Sequence, residues 1–347
     1  MTARTRSRSW LVGAGIAALL APLALVVAAA TPASAGVGKF HEIYMYKVEK
    51  HVDVSGDFPD KNMHEHVYCN PGDYALDGMW RVDSVEQANP PETVGDERDV
   101  YFTASYGDDM DATEWHFRAT NFADGKAQIK LFATCIRGHV ENAHLHTHAV
   151  RLSNRFSEGH PGLGVGVQEF DGGFGCNTDE YAVAPGYNVT SAQFEKRVRL
   201  FRSWPTANFR SWHWAFLVDD PVDMTVYIRC LRFTTGPGGN GPHAHQIPMT
   251  WRPNGYGGVF HNLNVHGTQE RRLNCDDPPN ASFYQDYKAM VGAFWIDDPH
   301  HVWFMGMDPR PKQRSYKFWW DGAGSNGVYL SALCVRARTG KQIAPVP

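Results

Sequence analysis

WHFRATNFADGKAQIKLFATC, residues 115–135, returns twice in altered form, as WHWAFLVDDPVDMTVYIRC at 212–230 and YKFWWDGAGSNGVYLSALC at 316–334. Each copy opens on an aromatic, a basic or imidazole residue and a second aromatic. It then passes a polar turn and closes on an apolar alternation that delivers a cysteine. The alternation has period two: Ile129, Leu131 and Ala133 fall on one face and Lys130 and Phe132 on the other, which is the pattern of a strand rather than a helix. The fold class is therefore all-β.

Working outward, Phe102, Phe201 and Phe304 precede the three copies at nearly constant distance, and Cys69, Cys176 and Cys275 precede those. Tyr74 and Tyr181 stand five residues after their cysteines, and Tyr287 stands twelve after, so a seven-residue insertion enlarges one loop of the third copy. A histidine opens each unit before an alternating segment, in FHEIYMYK at Phe40, HTHAVRLSN at His146 and HAHQIPMTW at His243. Landmarks recurring in one order at fixed spacing are the signature of an internal repeat. They define units at 36–137, 144–233 and 243–340, separated by residues 137–143 and by the Gly- and Pro-rich stretch 234–242. Each unit is long enough for a small β-sandwich, so three tandem disulfide-closed β-sandwich-like repeats are expected. The alternative is a single three-fold β-prism or barrel. SAQFEKRVRLF, from Ser191, is the best rival helix, but its alignment with VYFTAS and VWFMGM makes its end a strand. The aromatic strand of each unit is expected to pair antiparallel with the Cys-ending strand after it, through a hairpin such as Ala123-Asp124-Gly125.

Six cysteines allow fifteen pairings, and the repeat selects one: Cys69 with Cys135, Cys176 with Cys230, Cys275 with Cys334. Such bonds belong to an oxidising compartment. The start of the chain agrees, since Arg4, Arg6 and Arg8 precede an apolar run at 11–30 and Ala33-Ser34-Ala35 offers a cleavage site before Gly36. Residues 1–35 are read as a signal peptide, with no second apolar stretch of spanning length. The expected location is secreted and extracellular. Losing the three leader arginines takes the formal charge from −4 to −7. Nucleic acid is therefore excluded as a partner, because phosphate binding needs a basic face.

Seventeen histidines are the compositional anomaly. His64 and His66, then His144, His146 and His148, then His243 and His245 alternate, and residues at i and i+2 of a strand project from one face about 7 Å apart. Such pairs can share a zinc or copper ion. Those in the second and third units sit beside the linkers, where metal or hydrogen bonds would tie neighbouring units together. His41 begins a half-formed zincin motif in which Met45 replaces the second histidine. Asp108, Asp109, Asp111 and Glu114, and the Asp-Asp-Pro sequences at Asp219, Asp276 and Asp297, read as solvated turns. Trp80, Trp115, Trp204, Trp212, Trp214, Trp303, Trp319 and Trp320 are core candidates, with sugar stacking as the functional alternative. No nucleophile elbow, zincin helix, phosphate loop or dinucleotide fingerprint is present.

Each unit has a Cys followed by a strand containing Gly78, Gly186 or Gly292, then an aromatic triplet and an apolar strand ending in Cys. In this it resembles the disulfide-closed β-repeats of exported actinobacterial proteins, over nearly the whole chain after residue 35. The resemblance implies an extracellular surface or binding role and transfers no active-site residue. The function expected is a secreted, non-catalytic structural or binding protein of the cell surface or matrix, multivalent through its repeats and able to self-associate. Its partner would be cell wall, glycan or protein. A metal-dependent secreted enzyme and a glycan-binding module are the alternatives.

Overall fold

Alternating strands such as Glu114–Asn121 and long buried runs such as residues 289–294 build the structure, a computed structural model that describes residues 41–57, 60–85, 96–141, 147–191, 196–237, 243–253, 258–263, 267–275, 287–322, 326–340 and 342–343. The expected leader, His144, His146, Asp276 and the third unit's insertion lie outside the described residues. The first segment contributes β1 (Met45–Val54), β2 (Asn62–Tyr68), β3 (Tyr74–Val85), β4 (Val100–Gly107), β5 (Glu114–Asn121) and β6 (Ala127–Ile136). A short ribbon of β7 (His139–Glu141) and β8 (Thr147–Ala149) leads to the second segment. That segment holds β9 (Phe156–Leu163), β10 (Gly166–Asp171), β11 (Glu180–Val189), β12 (Val198–Pro205), β13 (Trp212–Val218) and β14 (Val222–Arg232). The third holds β15 (Ala244–His245), β16 (Met249–Arg252), β17 (Val259–Leu263), β18 (Gly267–Asn274), β19 (Tyr287–Ile296), β20 (Val302–Arg310), β21 (Ser315–Gly322), β22 (Asn326–Arg336) and β23 (Gln342–Ile343). The protein is all-β: the described helical turns are two 3-10 turns of three residues each.

The strands form three large antiparallel sheets, and each sheet takes strands from two segments. The first runs β1-β6-β3-β20-β21-β18, the second β2-β5-β4-β11-β14-β9, and the third β10-β13-β12-β19-β22-β16, with β17 also on β22. Each segment thus supplies three strands to one sheet and three to another, except that the third supplies four, with β17, to the third sheet. The seams are β3 with β20, at Arg81 and Gly306; β4 with β11, at Ala104 and Ser105; and β12 with β19, at Arg202 and Ser203. They join first segment to third, first to second and second to third. This closed arrangement departs from a row of separate sandwiches.

The expected hairpin pairing is a further departure. β5 pairs with β2 and β4 in the second sheet, while β6 pairs with β1 and β3 in the first. β13 and β14, and β21 and β22, also lie in different sheets. The polar turn after β5, like that after β13, carries the chain across layers instead of folding it back. In the first segment Asn121 shapes that turn, accepting from Ala123 N at 3.0 Å and donating to Gly125 O at 2.7 Å.

The layers pack through the aromatic strands. Trp115, Phe117, Trp212, Trp214, Phe318 and Trp320 are among the largest fully buried side chains. Trp115 Nε1 donates to Ser105 Oγ at 2.9 Å, which donates to Gly78 O at 2.8 Å and so joins the second sheet to the first. A Cβ on Gly78 would lie 2.0 Å from Trp115 Nε1, so the indole occupies the space that any larger residue would need. All three disulfides form as the repeat selects, over separations of 66, 54 and 59 residues. Cys69 follows β2 and meets Cys135 on β6, and Cys275 follows β18 and meets Cys334 on β22, so each of these bonds staples one layer to the next. Among the described residues no helix is long and apolar enough to cross a membrane.

Candidate metal centre

The histidines that open the segments are carried on short pieces of paired backbone. His41 N donates to Thr339 Oγ1 at 2.9 Å and Thr339 N returns a bond to His41 O at 2.9 Å. His245 N donates to Thr235 Oγ1 at 3.0 Å and Thr235 N returns a bond to His245 O at 2.9 Å. His148 lies on β8, opposite Val140 of β7. The start of each segment is thus held by the end of the one before it, and the start of the first by the end of the third. Two residues on, Ile43, Val150 and Ile247 are each 1–2 % exposed and anchor the three starts in apolar packing.

That pairing brings His41, His148 and His245 to one point. All three are 1 % exposed, and the ring centroids are 4.8 Å apart for His41 and His148, 4.3 Å for His41 and His245, and 4.9 Å for His148 and His245. One ring nitrogen from each lies within 4.8 Å of the others. His148 Nδ1 faces Gly236 O at 3.1 Å, and a hydrogen bond to a carbonyl fixes the proton on Nδ1 and leaves Nε2 as the lone-pair atom. His243 stands beside the cluster, its ring 4.7 Å from His148 and 5.3 Å from His245, and offers a fourth imidazole. Three neutral imidazoles are a ligand set for zinc or copper and a poor one for calcium or magnesium.

The sequence reading picked out His148, His243 and His245 as ligands and left His41 as half of a zincin motif. It weighted alternating histidines, and His41 has none beside it. The available signal was His followed two residues later by Ile or Val, in His41-Glu42-Ile43, His148-Ala149-Val150 and His245-Gln246-Ile247. His64 and His66 belong elsewhere, on the outward face of β2 beside His116 of β5, and partial burial, followed by the neighbouring His66, Arg118 and His116, holds the His64 imidazole below its usual range.

The other candidates resolve into structure. Asp108 Oδ1 accepts from Met110 N and Asp111 N, both at 2.8 Å, and Asp111 Oδ1 from Thr113 N at 2.8 Å, so that acidic run folds as a capped turn. Trp80, Trp115, Trp204, Trp212, Trp214, Trp319 and Trp320 are all 7 % exposed or less and fill the core. Trp303 is half-buried, under the guanidinium groups of Arg98 and Arg199. No protein-family model matches the chain, and no curated protein matches it.

Proposed function

We propose that this is an exported, non-catalytic β protein with a structural or binding role at the cell surface or in the matrix, its three segments clasped by a zinc or copper ion on His41, His148 and His245. The observation that carries the reading is the convergence of one imidazole from each segment at a single buried point. One ring nitrogen from each of these buried imidazoles lies within 4.8 Å of the others, close enough for side-chain adjustment to bring all three onto a shared cation. With His243 at the fourth position the set would be closed by protein ligands, which is the form of a structural rather than a catalytic metal. The exported location rests on the basic and apolar leader sequence together with three disulfides, which persist where thiols are oxidised.

The test is elemental analysis of the purified full chain, with thermal unfolding before and after chelation. Near-stoichiometric zinc or copper is expected, with a Tm that falls on chelation and recovers on adding metal back. A His148→Ala variant should bind at least tenfold more weakly at this centre and lose the chelator response. Metal-free protein whose Tm is unmoved by added zinc or copper would overturn the clasp, and the wild-type titration decides this even if the variant fails to fold.

A further inference from the structure

The outward face of the second sheet carries a different set of ligands. In β2, Met63 and Val67 point inward, while His64, His66 and Tyr68 face out. In β5, Trp115 and Phe117 point inward, and Glu114, His116 and Arg118 face out. The antiparallel register sets His66 opposite His116, Tyr68 opposite Glu114 and His64 opposite Arg118. Two imidazoles at i and i+2 of one strand therefore meet a third across the ladder. Ring centroids lie 4.9 Å apart for His64 and His66, 4.3 Å for His66 and His116, and 6.4 Å for His64 and His116.

Two of these rings are already oriented by carboxylates. His66 Nδ1 bonds Glu114 Oε1, which also accepts from the Tyr68 hydroxyl at 2.9 Å. His116 Nε2 bonds Asp108 Oδ2 at 3.0 Å, and its other face stacks on Tyr106 with centroids 4.9 Å apart and planes within 6°. A carboxylate on one imidazole nitrogen makes the other a better metal ligand and fixes its direction. His116 Nδ1 is buried and makes no hydrogen bond among the described residues. One nitrogen from each of the three rings lies within 4.8 Å of the others. Tetrahedral zinc places its nitrogens about 3.3 Å apart, so side-chain rotation would draw the three rings closer to close the set.

We infer that His64, His66 and His116 form a second transition-metal site, open to solvent, with Glu114 and Asp108 as positioning residues and a fourth coordination position that takes water or a small anion. Three imidazoles plus an exchangeable position is the arrangement that zinc adopts where an outside ligand must reach it. It differs from the buried centre in this respect, because His64 is exposed and His66 and His116 are only half-buried. The guanidinium of Arg118, opposite His64, is held by Asn188 Oδ1 and by Val189 O at 2.9 Å. The inference goes beyond the structural reading and does not depend on it.

Cobalt(II) distinguishes the two centres, since its visible spectrum reports the coordination shell. The full chain, titrated with cobalt and then azide, is expected to show a band that azide shifts. The exposed pair variant His64→Ala/His66→Ala should bind one equivalent fewer and lose the azide response. Glu114→Gln should keep the band but weaken cobalt binding about 10–100-fold, as loss of a carboxylate behind a ligand does. If the buried clasp fails and this site holds, the wild type binds one azide-sensitive equivalent that the pair variant lacks. Equal cobalt binding by wild type and pair variant, with no azide shift in either, overturns the proposal.

Discussion

Asp77 lies wholly inside the protein, with its Oδ2 accepting from Gly292 N at 2.9 Å and from the Tyr316 hydroxyl at 3.0 Å. Burial pushes its carboxyl up to about 7, against those two bonds and one from the Gly78 backbone, which favour the ionised form. The unfolded carboxyl, near 3.8, is already ionised between those values while the folded one still holds its proton. The folded state therefore binds the extra proton, and stability falls as pH rises through that window, by about 1.4 kcal/mol per unit from this group. Above about 7 the penalty is complete and the contribution is flat. Asp77→Asn keeps an acceptor for both donors and cannot ionise. Urea unfolding between pH 5 and pH 8 should show the wild type losing stability relative to this variant by several kcal/mol as pH rises. A constant difference across the range would place the titration elsewhere. The sequence shows Asp77 inside an apolar run, YALDGMW, but not its partners, because both come from a segment more than two hundred residues away.

At the scale of strands, the repeat conveyed much and then misled at one step. It identified the cysteine pairs, and it made the end of SAQFEKRVRLF a strand, which β12 is. It failed at the turn after each aromatic strand. Alternation says which face of a strand is buried and is silent on which layer the strand joins, so a hairpin and a crossover between layers read alike. The crossovers give the disulfides their place, with closed loops of 66, 54 and 59 residues. Loops so similar in length restrict the unfolded chain by similar amounts, about 4 kcal/mol each in the chain-entropy account. The double variants Cys69→Ala/Cys135→Ala, Cys176→Ala/Cys230→Ala and Cys275→Ala/Cys334→Ala should thus lose comparable stability, within about 1–2 kcal/mol of one another, by denaturant unfolding. A variant outside that spread would mark a bond that does more than close a loop.

At the scale of the whole molecule, residues 40–347 group as one compact unit. The three sequence segments interlock through seams that no local pattern announces, because each seam is made by a few backbone pairs between strands of different segments. The closure at His41 and Thr339 reaches further. Reciprocal hydrogen bonds of 2.9 Å set the first described residue against one that lies 298 positions later. The order in which the segments are synthesised should therefore be incidental to the finished sheets. A circular permutant, with a flexible linker joining the residues after Thr339 to His41 and new termini opened between residues 237 and 243, should fold to the same sheets with the same three disulfides. Its circular dichroism and non-reducing peptide map would match those of the parent, whereas a scrambled disulfide pattern would show that assembly must proceed from the first segment onward.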